Sequence, residues 1–319
     1  MSDPRTGWPA VLDDHFACRP ERLARLWVVR TRDCPQVMGV DPWCCLEVLQ
    51  FDDCGRLVAR DPEELMRQSV GRPLLIQVQG NLTTPEIAAA GLLWTDSWLK
   101  RHEALPLDAV LIAFDWPSQR VFHSELRDVN EKCRRAFIAA YDLARFVQAF
   151  PPHSRICLLG QSYGGRVVPA ALHLLGGGAL SSRLLERRVS LPHLCSDLHL
   201  RAVVIAAGSD HHWLDPGEKL GCALPACEAF LNLYNRRDKI LVWYPLLFSG
   251  GRRRALGQAG LLPRDRARLG ALAERYCERD IYELIGREHT LLCAVAHPEI
   301  ARWMAPFFWQ DVCAHRTSG

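Results

Sequence analysis

Short apolar runs punctuate the chain, and between them apolar residues recur at helical spacing, an alternation that predicts strands and helices in turn. Residues 26–31, 45–51 and 56–59 read as strands, the last two joined by a turn at Asp52-Asp53-Cys54-Gly55, so the chain opens antiparallel. Ahead of them, residues 1–24 carry Pro4, Pro9 and Pro20 and predict an irregular arm or a short helix. Asp61 before Pro62 and Thr84 before Pro85 are helix starts: an N-cap oxygen, then a proline whose missing N–H costs nothing at the first helical position. The second of these helices is expected to run to about His102. Runs at 73–78, 109–114, 156–159, 202–207 and 231–234 are apolar throughout, the pattern of strands covered on both faces. Residues 129–149 place Ala136, Phe137, Ala140, Leu143, Ala144 and Val147 along one helical face. Another helix leaves Tyr163 and stops at Gly176-Gly177-Gly178, with Pro169 inside it predicting a kink. A last helical stretch, 290–308, is interrupted at Pro298.

Helices alternating with buried strands require right-handed crossovers, so the order implies an α/β fold with a mostly parallel sheet covered by helices on both faces. The expected organisation is one domain. Residues 1–60 supply the arm and antiparallel strands, residues 61–319 the core, and about 242–275 a lid or insertion. A hydrophobic content of 49% against 24% charged residues leaves no long polar segment and argues against extensive disorder. The formal net charge is only +3, and four lysines (Lys100, Lys132, Lys219, Lys239) stand among 39 basic residues, so the rest are arginine. That reads as a coding bias, not as the basic, aromatic-interleaved surface of a nucleic-acid binder.

The 13 cysteines are odd in number and lack a repeating framework, and Cys157 and Cys293 sit in apolar runs, so a reduced, cytoplasmic setting is expected. Cys44-Cys45 with Cys54, and Cys222 with Cys227, lack the two-residue spacing and the completing pair of a zinc site, and no metal is expected. Residues 1–22 contain no apolar leader core, and no run of about 18 apolar residues predicts a membrane span.

The chemistry is expected at Gly160-Gln161-Ser162-Tyr163-Gly164-Gly165, where an apolar strand runs into a turn and a helix leaves it. A serine at the apex of such a turn needs small neighbours so that the backbone folds tightly and exposes Oγ. Ser162 is the candidate nucleophile, with the N–H of Tyr163 beside the developing oxyanion. A serine hydroxyl needs a histidine base, and the histidine a carboxylate to orient it. His289 precedes the last helical stretch, and Asp238 lies just past the strand at 231–234. Asp210, in Gly208-Ser209-Asp210-His211-His212, is the alternative acid, and His211 and His212 are the competing histidines. Those two with Asp210 or Asp215 could be argued as metal ligands, but adjacent histidines do not share one face of a strand.

Over about residues 70 to 310 the chain resembles the α/β-hydrolase superfamily, and more closely a group of mainly bacterial, poorly characterised serine hydrolases. The resemblance rests on Gln79-Gly80-Asn81, Phe114-Asp115-Trp116-Pro117-Ser118 and Gln161-Ser162-Tyr163-Gly164-Gly165. It implies Ser162, Asp238 and His289 as a triad, and the N–H groups of Asn81 and Tyr163 as an oxyanion hole. It also implies an ester or related acyl bond as the target and no cofactor. Gln79 stands where that group usually has histidine, and Gln161 is a departure before the serine. Gly80, Trp116 and Gln161 are the pocket candidates.

The rival readings are acyl transfer and a non-catalytic binding or scaffold protein that kept the fold. An aspartate-based dehalogenase is disfavoured because the elbow holds serine. Arg252, Arg253, Arg254, Arg264, Arg266 and Arg268 form a basic segment after the apolar Trp243-Tyr244-Pro245-Leu246-Leu247-Phe248. A solvated face is the simpler reading of those arginines, with contact to an acidic substrate or a membrane surface the other. The substrate, acyl length and oligomeric state are not encoded in any spacing.

Overall fold

The alternating N-terminal runs do open the fold antiparallel. In the computed structural model, which describes residues 20–37, 39–180, 188–191, 197–248 and 253–310, a short helix α1 (Pro20–Leu23) leads into β1 (Leu26–Arg30), β2 (Glu47–Phe51) and β3 (Leu57–Ala59). β2 pairs antiparallel with both β1 and β3. The turn between β2 and β3 is held by Asp52 Oδ1, which accepts from the N–H groups of Cys54 (2.9 Å) and Arg56 (2.8 Å). Residues 1–19 of the expected arm, and Arg252 of the basic segment, lie outside the described residues.

The helix starts follow the capping chemistry. α2 (Pro62–Ser69) begins under the Asp61 side chain, and α3 (Pro85–Arg101) under Thr84, whose Oγ1 accepts from Ile87 N–H. Between and after them come β4 (Pro73–Val78), β5 (Val110–Asp115), α4 (Glu125–Gln148), β6 (Arg155–Gln161) and α5 (Gly164–Leu175). α4 begins one turn before the predicted 129. Asp128 in its first turn accepts from Val121 and Phe122 N–H and pairs with buried Lys132, contacts that a 3.6-residue apolar count does not register. α5 carries Pro169 inside it, as the sequence reads. A small hairpin, β7 (Ala179–Leu180) with β8 (Val189–Ser190), precedes β9 (His199–Ile205) and β10 (Ala229–Tyr234).

The segment 242–275 is the connection from β10 to a further strand. Its described part holds α6 (Tyr244–Phe248), α7 (Leu256–Ala259) and α8 (Pro263–Leu269), followed by β11 (Tyr276–Asp280). β11 does not appear among the predicted strands. It is an edge strand of sequence Tyr-Cys-Glu-Arg-Asp, with only its first residue buried, so it has no apolar run to announce it. The chain ends its described course with α9 (Tyr282–Ile285), α10 (Leu291–Val295) and α11 (Pro298–Met304). The break at Pro298 is a new helix start in which His297 Nδ1 accepts from Glu299 N–H.

The sheet runs β11-β10-β9-β6-β4-β5-β1-β2-β3, parallel from β11 through β1 and antiparallel only at the N-terminal edge. Side chains alternate between two cores. Leu74, Ile76 and Val78 of β4 with Ile156 and Leu158 of β6 face α4 and α5, whereas Leu75, Cys157, Leu159, Val203 and Ile205 face α3, α10 and α11. This two-sided burial is why the central strands read as unbroken apolar runs. It also brings the carboxyl ends of β4, β6, β9, β10 and β11 to one edge of the sheet, where ligands of open α/β sheets bind.

One buried charge carries a stability consequence. Asp142 of α4 is 5% exposed, and burial pushes its carboxyl up from 3.8 to about 7. The folded state therefore keeps a proton that the unfolded chain gives up above about pH 4. The stability this proton contributes is complete below that pH, is lost as pH rises to about 7, and levels off beyond. Three pH units correspond to at most about 4 kcal/mol. Asp142→Asn is expected to match the wild type in urea unfolding at pH 4 and to exceed it at pH 8 by about 2–4 kcal/mol. Parallel stability curves for the two proteins would refute this.

Candidate active site

Three close backbone approaches shape the turn after β6. A Cβ on Gly160 would lie 2.4 Å from Gly164 O, one on Gly164 would lie 2.1 Å from Val78 O, and one on Gly165 would lie 2.7 Å from Ala207 Cα. Only glycine lets β4, β6 and the start of α5 meet this tightly. Between the first two glycines, Ser162 adopts φ 57°, a left-handed conformation that costs a non-glycine residue about 1–3 kcal/mol. The surroundings hold it there: Ser162 N–H donates to Ile205 O at 3.0 Å, and Gly208 N–H donates to Ser162 O at 2.9 Å. Ser162 is 8% exposed, and Tyr163 begins the helical conformation with its N–H at the first turn of α5.

The loop after β4 is braced from β5. Trp116 Nε1 donates to Gln79 O (2.9 Å), Leu82 N–H donates to Ser118 O (3.0 Å), and Thr83 N–H donates to Ser118 Oγ (3.2 Å). Asn81 Oδ1 accepts from Leu82 N–H, and Leu82 itself has φ 59°. A Cβ on Gly80 would meet Gln161 Oε1 at 2.4 Å and Ser162 Cβ at 3.2 Å, so this loop lies directly against the elbow. Trp116, expected to line the core or the pocket rim, is completely buried beside the Tyr163 ring (centroids 6.4 Å apart) and braces the loop after β4.

The structure brings Asp238 and His289 together. Asp238 follows β10 and is fully buried. Its Oδ1 accepts from Ile240 N–H (2.8 Å) and Leu241 N–H (2.9 Å), and its Oδ2 meets His289 Nδ1 at 2.7 Å. With Nδ1 donating to the carboxylate, Nε2 is the nitrogen left to take a proton. The two loops are stitched by Asn235, whose Nδ2 donates to Gly286 O (2.8 Å) and Glu288 O (3.0 Å), and by Lys239 N–H donating to Arg287 O. Gln161 Nε2 donates to His289 O at 2.8 Å and so ties the histidine loop to the residue before Ser162. The roles of Asn235 and Gln161 as fasteners were not read from the sequence. The signal available was an amide side chain directly after one strand and at the end of another.

The alternative acid is engaged elsewhere. Asp210 accepts from Tyr244 OH (2.7 Å) and pairs with Arg253 (3.1 Å), while the buried His211 Nδ1 meets Asp265 Oδ2 at 2.5 Å. His212 lies 4.0 Å from Glu218. Asp210 and His211 thus fasten the β10–β11 connection to the loop after β9, because α6 presents Tyr244, the chain before α7 presents Arg253 and α8 presents Asp265, whereas His212 faces Glu218 within that same loop. Arg264 and Arg268 pair with Asp265 and Asp215, and Arg266 with Glu278. Among the described residues, no group of three or more His, Cys, Asp or Glu side chains could hold a metal ion. No described helix is long and apolar enough to cross a membrane.

The Gln161 tie generates a test. Gln161→Glu replaces the donor with a group that can only accept, facing a carbonyl oxygen. Displacing the His289 loop by about 1 Å is expected to lower turnover of an activated ester by about 10- to 100-fold, mainly in kcat. Unchanged kcat in this variant would show that the tie does not position His289.

With the elbow on β6 and the paired acid and histidine on loops after β10 and β11, the chain has the α/β-hydrolase fold. No family model and no curated protein matches it. Among solved structures it is similar to TT1662 from Thermus thermophilus, at 19% identity over 76% of this chain and 90% of that one, with a TM-score of 0.39. It is also similar to esterase B from Lactobacillus rhamnosis in a C6-C4 SN3 inhibited form, at 11% identity over 88% of this chain and 85% of that one, with a TM-score of 0.40.

Proposed function

We propose that the chain is a serine hydrolase that cleaves an ester or related acyl bond through an acyl-enzyme. The reading is carried by one observation: a serine held at φ 57° in the turn after the central strand β6, with the pair of buried Asp238 and half-buried His289 tied to that turn through Gln161. Ser162 Oγ attacks the acyl carbon while His289 Nε2 takes its proton. Asp238 holds the ring in the required tautomer and stabilises the imidazolium. The N–H groups of Tyr163 and Asn81 receive the negative charge on the acyl oxygen. The acyl C–O bond then breaks as His289 returns the proton to the leaving alcohol, and water repeats the sequence to free the acid. Each step uses groups this chain supplies and calls on no cofactor.

Fluorophosphonate labelling followed by peptide mass spectrometry tests the reading. Label is expected on Ser162 in the wild type and nowhere in Ser162→Ala. In Asp238→Asn, kcat for an activated ester is expected to fall by about 10³–10⁴ with the fold intact by circular dichroism, because the amide favours the wrong histidine tautomer. A folded wild-type protein that takes no label would favour the binding-protein reading.

A further inference from the structure

Directly behind the elbow lies a group of charges that the proposed reaction does not use. Arg166, in the first turn of α5, is 2% exposed, and among the described residues no carboxylate lies within ion-pair distance of it. Its Nε donates to Gly208 O (2.8 Å), one terminal nitrogen meets Cys133 Sγ, and the other reaches Tyr244 OH at 3.3 Å. Its guanidinium lies against the rings of Tyr163 (5.4 Å), Trp213 (5.2 Å) and Phe248 (4.9 Å).

A second cation shares the same indole. Lys219 Nζ lies 4.3 Å from the Trp213 ring centroid and 4.3 Å from that of Phe137, and among the described residues it has no carboxylate partner. Asp210 is the acid that reaches this group, through Tyr244 OH, and it is already shared with Arg253. Burying two like charges around one ring is costly unless something offsets them, and aromatic faces offset only part. Burial and then the neighbouring Arg166 charge pull the Lys219 ammonium down to about 8, the direction expected of a cation short of a counter-ion. Arg166 is enclosed and its donors are largely engaged, whereas Lys219 is half-buried and its ammonium retains donors for a ligand.

We infer that Lys219, backed by the positive field of Arg166 across Trp213, forms a subsite for a carboxylate at the far end of the substrate's acyl chain. The inference rests on the serine hydrolase reading above. Arg166 is enclosed, so the accessible contact is the single ammonium of Lys219, which suits a monoanion, and one compact contact suits a carboxylate. Arg166 packs on the ring of Tyr163, the residue next to Ser162, so the two cations lie close behind the turn, and the subsite is assigned to the acyl side of Ser162. Lys219 is a specificity-determining residue in this scheme. Arg166 acts through it as a positioning residue.

The experiment compares p-nitrophenyl hemiesters of dicarboxylic acids, from succinate to sebacate, with p-nitrophenyl esters of the monoacids of equal chain length. The wild type is expected to favour the carboxylate-bearing ester in kcat/KM at one or more chain lengths. That ratio is expected to fall at least tenfold in Lys219→Met and to recover in Lys219→Arg. A merely structural role for Lys219 would slow both esters together and leave the ratio unchanged, which overturns the subsite. Fluorophosphonate labelling of Ser162 with no preference for the charged esters would overturn the subsite and leave the hydrolase reading standing. Absence of both labelling and turnover would overturn both.

Discussion

The constraint on which the rest depends is the backbone contact between β4, β6 and the start of α5. With Gly160 against Gly164, and Gly164 against Val78, there is no room for a side chain, and the chain can turn within one residue from strand to helix. That residue is Ser162, which takes a left-handed conformation it would not choose alone. The cost is modest because strands on both sides of β6 supply the opposing burial. Val78 of β4 and Val204 of β9 both lie in register with Gly160, and Ile205 O receives the Ser162 amide.

From this turn the remaining geometry follows by hydrogen bonds between loops. Asn235 and Asp238 leave β10 and hold the backbone and imidazole of the 286–289 loop, and Gln161 returns that loop to the elbow. The result is a closed circuit of neutral donors and one buried carboxylate. Among the described residues, none of the circuit's fully buried side-chain polar atoms lacks a hydrogen-bond partner, which is the condition under which a buried polar network orders a site instead of weakening it. On the other side, Trp116 and Ser118 brace the Gly80–Asn81 loop without reaching the surface.

The cations behind Tyr163 are of a different kind. Arg166 and Lys219 gather around Trp213 with aromatic faces in place of carboxylates, and the nearest acid, Asp210, is held by Tyr244 and Arg253. Segment 242–275 contributes Tyr244, Phe248, Arg253 and Asp265 to this side of the molecule, so the connection between the last two strands is fastened to the loop after β9 by polar pairs. In a fold whose candidate site is built from strand ends, such a connection is where a site's surroundings can vary while the sheet stays constant.

The sequence by itself determined the buried strands, the capped helix starts at Asp61 and Thr84, the antiparallel opening and the elbow, because each is a local pattern of apolar period, cap or glycine spacing. It left β11 invisible, since an edge strand buries too little to carry an apolar run, and it placed the start of α4 one turn late because Asp128 is satisfied by the preceding loop. It put Asp238 first and kept Asp210 as the alternative acid, since both follow strands and lie within reach of the same sheet end. Only the tertiary structure decided that Asp238 meets His289 while Asp210 serves Tyr244 and Arg253, and that Trp116 is interior. Which partner a carboxylate finds depends on how loops from strands distant in sequence come together, and no spacing along the chain contains that.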